Sequence, residues 1–264
     1  MMTIAQITSE IERFAPLALQ DDFDNSGLQV GNINQQAMGI LLCLDVTEEV
    51  VDEAIDLDCN LILSHHPLLF KPLRTLTGKT YIERCVIKAC KNDLVIYSAH
   101  TNLDNAYGGV SFCLAEKIGL QNVRVLRPQK DSLFPDALGS GVVGELLAEE
   151  DEMSFLERLK AIFHLETLQH SPLTGKTIRQ VALCGGSGAF LIPDAIQQGA
   201  DVFLTGEARY NDYYDVEDRL LLAVLGHYET EYCTKEIFFD IISKKIPNFA
   251  IHFSKVNVNP VNYM

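Results

Sequence analysis

The sequence lacks the features of several protein classes. None of its seven cysteines forms a C-x-x-C pair, and an odd number of cysteines in 264 residues does not suit a secreted disulfide scaffold. The first residues include acidic side chains and no long apolar core, unlike a signal peptide. No apolar run approaches the roughly 20 residues that a membrane-spanning helix needs. We therefore expect a cytoplasmic protein whose reduced thiols serve as small core residues.

Basic residues are also scarce. The chain has 21 lysines and arginines against 36 aspartates and glutamates, which gives a formal net charge of −15 and a pI near 4.8. Direct binding to nucleic acid or to an anionic membrane is not expected, because both need a basic surface. An anionic small-molecule substrate remains compatible, since a bound metal can supply local positive charge. The 47% of hydrophobic residues suffices for one large domain or two small ones.

Hydrophobic periodicity predicts alternating strands and helices. The apolar spacing over 4–14 predicts an opening helix, whereas the density of Asp, Asn and Gly over 21–31 predicts a loop. Capping-box patterns occur at Thr80 with Glu83 and at Ser154 with Glu157. The stretch 127–137 has two prolines and little pattern, and we interpret it as a boundary between lobes. Strands are predicted at 39–45, 60–63, 94–98, 140–147, 178–184, 201–205, 220–225 and 249–253.

The two halves of the sequence repeat one pattern. Segments 39–43 and 60–64 match 180–184 and 201–205 at a shift of 141 residues, and after a gap the pattern His-x-x-x-Asp at 100–104 matches His-x-x-x-Glu at 227–231. Ligands of open α/β sheets bind beyond the carboxyl ends of the strands. We therefore expect an α/β fold of two related lobes, 1–127 together with 228–264 and 128–227, whose strand ends face a shared cleft.

Polar side chains are concentrated at these predicted strand ends. They comprise three imidazoles and two carboxylates, namely His65, His66, Asp104, His227 and Glu231. A mixed set of nitrogen and oxygen donors suits Zn, Fe, Mn, Co or Ni. Five ligands exceed the needs of one tetrahedral site and suit two metals about 3.5–4 Å apart that share Glu231. Taken singly, each residue also has a structural interpretation. The histidine pair can cap a strand, Asp104 can be a turn residue, and His227 and Glu231 can belong to a solvated first turn of a helix.

Motifs along nearly the whole chain are similar to those of a known family. They lie at 24–31 (DNSGLQVG), 64–71 (SHHPLLFK), 98–104 (SAHTNLD), 184–188 (CGGSG), 205–207 (TGE), 226–231 (GHYETE) and 259–261 (NPV). On these motifs the chain resembles the dinuclear-metal proteins named GTP cyclohydrolase 1 type 2 homologues, the Ngg-interacting-factor-three family. The resemblance implies that the five residues above bind two metals and share Glu231, that the lobes are intertwined, and that the protein is a ring-shaped homohexamer.

Two positions depart from the family pattern, and two further groups have more than one interpretation. Phe23 stands where the family usually has tryptophan, and Asn211 stands where many relatives have histidine. The loop 185–188 either cradles phosphate or forms a tight strand–helix turn, and the turn is the simpler interpretation. His100 is either a proton carrier beside the metals or a structural histidine with a hydrogen-bonded ring.

The predicted site favours a metal-dependent hydrolase that acts on a small molecule. Two divalent ions would lower the pKa of a bridging water, so that hydroxide attacks a polarised carbon or phosphorus centre with Glu231 and His100 in catalytic roles. The family label suggests a nucleotide, GTP, as the substrate. The alternative is a non-catalytic metal-binding protein with a regulatory, carrier or scaffold role. A third hypothesis is a metal-free enzyme that uses Lys71 or His100 in acid–base chemistry.

Overall fold

The computed structural model describes residues 2–129, 138–256 and 259–264. Its strands are β1 (Gly27–Val30), β2 (Ile40–Cys43), β3 (Leu61–Ser64), β4 (Val95–Ser98), β5 (Gln121–Pro128), β6 (Gly139–Asp151), β7 (Gln169–His170), β8 (Thr177–Cys184), β9 (Val202–Thr205), β10 (Leu221–Val224) and β11 (Ile251–Phe253). Its α-helices are α1 (Ile4–Phe14), α2 (Glu48–Asp56), α3 (Tyr81–Lys91), α4 (Thr101–Asp104), α5 (Val110–Ile118), α6 (Glu152–Phe163), α7 (Ile192–Gln197), α8 (Asp212–Asp215), α9 (His227–Glu231) and α10 (Thr234–Lys245).

The chain divides into two compact units. Unit 1 is Met1–Leu103 with Thr234–Asn262, and unit 2 is Asp104–Cys233 with Tyr263–Met264. Each unit combines one sheet with helices, so the predicted α/β class is confirmed. The lobe limits expected from the sequence stay a prediction, and residues 130–137 of the proposed boundary stretch lie outside the described residues.

The sheet of unit 1 has five strands in the order β1-β4-β3-β2-β11. β4, β3, β2 and β11 run parallel to one another, and β1 pairs antiparallel with β4. All four residues of each of the strands β2, β3 and β4 are buried. Helices α2 and α3 pack on this sheet through one apolar cluster that includes Val50, Ala54, Cys85 and Ala89. Strand β11 is an edge strand, as the sequence predicted.

The sheet of unit 2 has six strands in the order β5-β6-β8-β9-β10-β7. β8, β9 and β10 are parallel, and β5, β6 and β7 are added in antiparallel pairs. Phe203 on β9 is fully buried and packs in a cluster with Leu191, Ile192 and Val216. Each parallel core thus consists of short apolar strands whose carboxyl ends point in one direction.

The predicted repeat is confirmed by the strand registers. In unit 1, Cys43 lies opposite Ser64 and Ser64 lies opposite Ser98. In unit 2, Cys184 lies opposite Thr205 and Thr205 lies opposite Val224. The three parallel strands of each unit therefore end level with one another, and the polar residues that follow them leave from one edge of each sheet.

Helix limits follow the local sequence signals in most places. Thr3 caps α1 in a reciprocal capping box with Gln6, and Thr47 accepts a hydrogen bond from the Val50 N–H at the start of α2. Gly119, at φ 87°, ends α5 in the left-handed conformation that glycine adopts without strain. The helix that the apolar spacing predicted over 4–14 is confirmed.

Three expectations about local structure were wrong, and one strand was missed. Part of the segment expected to be a loop is strand β1, a four-residue edge strand flanked by Asp, Asn and Gly. Strand β5 was not anticipated, because it is an edge strand in which polar and apolar residues are mixed. Helix α6 is capped by Asp151, whose carboxylate accepts from the Ser154 N–H, rather than by Ser154 itself. Thr80 does cap α3, but the Glu83 carboxylate accepts from Thr77 and from the Lys79 N–H instead of closing the box.

Most of the cysteine side chains are buried. All seven cysteines fall in the described part of the chain, and no disulfide joins any of them there. Burial raises the pKa of the Cys59 and Cys85 thiols to about 11, so both stay protonated near neutral pH. Among the described residues, no helix combines the length and the apolar character that crossing a membrane requires.

Candidate metal centre

Three histidines of unit 1 form a compact cluster at the carboxyl ends of β3 and β4. His65 and His66 directly follow β3, and His100 follows β4 by two residues. The ring centroids are 5.0 Å apart for His65 and His66, 5.2 Å for His65 and His100, and 5.4 Å for His66 and His100. One ring nitrogen from each lies within 4.8 Å of the others, so this group could hold a metal ion.

The strand ladder fixes the backbone of the two adjacent histidines. The His65 N–H donates to the Cys43 carbonyl at 3.3 Å, and the His66 N–H donates to the Leu44 carbonyl at 2.9 Å. The Ser64 hydroxyl donates to the His66 carbonyl at 2.9 Å. Because these bonds continue the pairing beyond the end of β3, the imidazoles stand on rigid backbone, which a metal site requires.

Each imidazole of the cluster has its Nδ1 atom bound to an oxygen. His65 Nδ1 lies 2.9 Å from the Ala99 carbonyl, His66 Nδ1 lies 2.8 Å from Asp45 Oδ1, and His100 Nδ1 lies 2.7 Å from Asp24 Oδ1. A carbonyl or carboxylate oxygen only accepts, so Nδ1 carries the proton and the lone pair lies on Nε2. Metal-binding histidines in proteins are held in this way by a second shell of acceptors.

Asp24 is the best-satisfied acceptor of this group. Its side chain is fully buried, and it accepts from the Asn25 N–H, from the Ser26 hydroxyl and from both the N–H and the hydroxyl of Thr101, besides His100. Burial by itself would raise the pKa of the Asp24 carboxyl, but the hydrogen bonds from His100, Thr101 and Ser26 outweigh it and hold that pKa well below its usual range. Asp24 is therefore a carboxylate at neutral pH.

In unit 2, a histidine and a glutamate face each other across one turn of α9. His227 Nε2 lies 2.9 Å from Glu231 Oε2, and only 4% of the Glu231 surface is exposed. His227 Nδ1 lies 3.0 Å from Glu207 Oε1, and the Ser187 hydroxyl donates to Glu207 Oε2 at 2.6 Å. His227 thus repeats the arrangement of unit 1, with an oxygen partner at Nδ1 and a potential ligand at Nε2.

Glycines pack directly against this histidine–glutamate pair. A Cβ atom on Gly186, at φ 58°, would lie 2.0 Å from Glu231 Oε1, and one on Gly206 would lie 2.9 Å from the Cα atom of His227. The Gly186 N–H donates to the Thr230 hydroxyl at 3.0 Å, and the Gly188 N–H donates to the Thr205 hydroxyl at 2.9 Å. Two N–H groups of the loop 185–188 are therefore used inside the protein, which favours the tight-turn interpretation over a phosphate cradle.

The donors match divalent transition metals in chemistry and spacing. Imidazole nitrogen and carboxylate oxygen bind zinc at about 2.0–2.2 Å. Two donors 2.9 Å apart, as His227 Nε2 and Glu231 Oε2 are, can both reach one ion at such distances. Asp104 is the last residue of α4, four positions after His100, and its place among the metal ligands stays a prediction. The residues present therefore fit the metal ions that the family resemblance implies.

The sequence pattern pointed to the histidines and carboxylates but not to their partners. Asp24, Asp45 and Glu207 each orient an imidazole, and none of them was proposed as a site residue. Asp24 lies in a motif shared with the family, and Glu207 lies in the Thr-Gly-Glu motif after β9. Those motifs were the available signal, since the contacts join residues that are 20 to 76 positions apart in the chain.

Comparisons with known proteins agree with the motifs. A sequence model of Duf34/NIF3 (NGG1p interacting factor 3) matches residues 2–260. A protein of Clostridium perfringens named GTP cyclohydrolase 1 type 2 homolog is 35% identical over 88% of this chain and 87% of its own. A protein of the same name from Lactococcus lactis is 34% identical over 98% of both chains, and NIF3-like protein 1 of Drosophila melanogaster is 32% identical over 98% of this chain and 88% of its own.

Solved structures show the same likeness in three dimensions. A hypothetical protein of Staphylococcus aureus superposes with a TM-score of 0.91 at 28% identity, over 100% of this chain and 99% of that chain. A Bacillus cereus protein described as related to NIF3 gives a TM-score of 0.90 at 26% identity with the same coverage. Sequence model, relatives and structures coincide over nearly the full length, and the chain therefore belongs to the Duf34/NIF3 family.

Proposed function

We propose that the protein is a metal-dependent hydrolase with a dinuclear centre. The proposed ligands are His65, His66, Asp104, His227 and Glu231, with Glu231 shared between the two ions. The observation that carries the proposal is the common orientation of the candidate imidazoles, whose Nδ1 atoms all meet oxygen acceptors while Nε2 holds the lone pair or faces a carboxylate.

The chemistry of the proposed reaction is divided between metals and protein. When bound, two divalent ions would lower the pKa of a water molecule and polarise the substrate. His100 carries protons at Nε2, because Asp24 holds its Nδ1–H and so fixes the tautomer. Ser187 and Glu207 keep the ring of His227 in place, and the glycine at 186 leaves room for the Glu231 carboxylate.

The proposal also covers the substrate, the cellular location and the assembly of the protein. The relatives are named as homologues of a GTP cyclohydrolase, and on that basis we assign a nucleotide or a related small molecule as substrate. We further propose a cytoplasmic location, because reduced thiols suit that compartment. We also propose a homohexameric assembly. Direct binding to nucleic acid is not part of the proposal, because the net charge of the chain is −15.

The Glu231→Gln variant tests the catalytic claim. The amide keeps the size of the side chain but removes the negative charge that two cations would share, so metal retention is expected to fall and any nucleotide or phosphoester turnover is expected to be lost. The measurement is metal content by elemental analysis together with a turnover screen of the wild-type protein and the variant. Glu157→Gln is the matched control, because Glu157 is a surface residue of α6 that pairs with Lys160.

The outcomes separate an enzyme from a metal-binding protein without catalysis. A fully active Glu231→Gln variant would refute the hydrolase. Wild-type protein that binds metal but turns over none of the compounds would favour the regulatory or scaffold alternative.

A further inference from the structure

Two exposed phenylalanines of unit 1 lie beside the histidine cluster. Phe23 is 65% exposed and Phe70 is 44% exposed, and their ring centroids are 6.4 Å apart at an interplanar angle of 67°. The Phe70 centroid is 6.1 Å from that of His100, with the rings nearly perpendicular at 83°. The ring of Phe70 thus lies against both His100 and Phe23, and both phenylalanine rings are partly exposed to solvent.

Hydrogen bonds fix the two segments that carry these rings. Asn25 Nδ2 donates to the Leu69 carbonyl at 2.8 Å, and the Leu69 N–H donates to Gln29 Oε1 at 3.1 Å. Asp24, adjacent to Phe23, holds His100 at the same time. The segment after Phe23 thus joins the loop of Phe70 to the histidine cluster. Two large apolar rings are held in a fixed, exposed arrangement, which is the form of a preorganised binding surface rather than of a core.

The loop of Phe70 also carries three exposed cations, Lys71, Arg74 and Lys79, and the first two follow Phe70 by one and four residues. Lys71 and Arg74 lie between β3 and α3, and neither is paired with a carboxylate in the part of the chain that the structure describes. The protein has a net charge of −15, and many of its other cations, such as Lys88 and Arg158, form ion pairs with nearby carboxylates. Unpaired cations a few residues from open rings in the chain are chemically complementary to a ligand that is both planar and anionic.

We propose that Phe23 and Phe70 form a stacking site for the planar heteroaromatic ring of an anionic small molecule, and that Lys71 and Arg74 contact its anionic group. The inference rests on the proposed function, since it supplies the substrate class for the neighbouring metal centre. An aromatic face accepts any planar ring, as in sites that bind single-stranded nucleotides by stacking. The contact of Phe70 with His100 directs such a ring toward the histidines.

The absence of tryptophan from the chain makes a direct binding experiment possible. The Phe23→Trp variant of the full chain, loaded with zinc, carries a single tryptophan at the proposed stacking site, and its emission can be excited selectively over that of the tyrosines. GMP, AMP and UMP are titrated as probes, with guanosine and ribose 5-phosphate as compounds that lack the anionic group or the ring. At least one nucleotide is expected to quench the fluorescence below about 1 mM, and guanosine and ribose 5-phosphate are expected to bind about tenfold more weakly.

A second substitution tests the stacking contact itself. Phe70→Ala, added to the Phe23→Trp protein, is expected to weaken nucleotide binding about tenfold or more and to leave binding of ribose 5-phosphate unchanged. Phe190→Ala is the matched control, because Phe190 is an exposed phenylalanine of unit 2 that packs against Arg127. Its removal is expected to leave nucleotide binding unchanged.

The result that would overturn the stacking site differs from the result that would overturn the proposed metal-dependent hydrolase. No nucleotide binding at about 1 mM, or equal nucleotide binding with and without Phe70, would overturn the stacking site. Guanosine binding as tightly as GMP would overturn the role of Lys71 and Arg74. Elemental analysis of the same samples reports on the metal centre separately, so nucleotide binding by a protein that retains no metal would refute the hydrolase and support the stacking site.

Discussion

Replacing Asp24 with asparagine is expected to lower the free energy of unfolding by about 2–4 kcal/mol at neutral pH. The Asp24 side chain is fully buried and accepts hydrogen bonds from the Ser26 hydroxyl, from both donors of Thr101 and from His100. The asparagine amide would put an N–H group against those donors and would remove the charge that they stabilise. Thermal unfolding measures the effect, with an expected fall in Tm of about 6–12 °C.

The pH dependence of this stability loss tests whether the ionised Asp24 carboxylate is its cause. The pKa of Asp24 is held below its usual range in the folded protein, so the stabilisation is fully present above the ordinary aspartate pKa of about 3.9 and is lost as the pH falls through the folded value. The difference in stability between wild type and Asp24→Asn should narrow as the pH falls below about 4. Asp22→Asn is the control, because Asp22 is exposed. An equal loss in both variants would contradict the role given to Asp24.

Replacing Gly186 with alanine is expected to weaken metal binding about 10- to 100-fold. The new Cβ atom would lie 2.0 Å from Glu231 Oε1, so the carboxylate has to move away from its position beside His227. The backbone cost is smaller, about 1 kcal/mol for alanine at a positive φ. The expected result is a folded protein with a small loss of stability and a large loss of metal affinity, measured by titration of chelator-treated protein.

A substitution at a second glycine separates the displacement of the Glu231 carboxylate from the backbone cost of alanine at a positive φ. Gly199 has φ 72°, and no atom lies within 4 Å of the position that its Cβ would take. Gly199→Ala therefore carries the backbone cost alone and should bind metal like the wild type. If both variants lost metal to the same degree, the close packing of Gly186 on Glu231 would not be the cause.

The sequence reveals the parts of the fold that depend on local signals. The apolar stripe of α1 and the caps at Thr47 and Gly119 are encoded within a few residues, so they could be predicted. The His65–His66 pair stood out because it follows a short apolar run that only a buried strand explains. The repeat added the matching strand ends of unit 2, which the registers confirm.

The parts that escaped prediction depend on contacts between distant residues. Strand β1 has two exposed or half-buried residues out of four, and it is a strand because it pairs with β4, about 70 residues later in the chain. The partners Asp24, Asp45 and Glu207 meet their imidazoles only after the sheets form. The sequence around Asp24 has the composition of an ordinary turn or loop. Composition does not show which of its side chains are buried, so the buried carboxylate of Asp24 could not be predicted.

Elemental analysis of the protein purified without chelator tests the central claim most directly. The wild type should contain about two transition-metal ions per chain, and the His65→Ala/His66→Ala variant should lose them. The matched control is the His164→Ala/His170→Ala variant, which removes two histidines outside the proposed centre and should keep its metal. Wild-type protein with no metal, even after incubation with zinc, iron or manganese, would contradict the claim and would leave the histidine cluster a structural feature of unit 1.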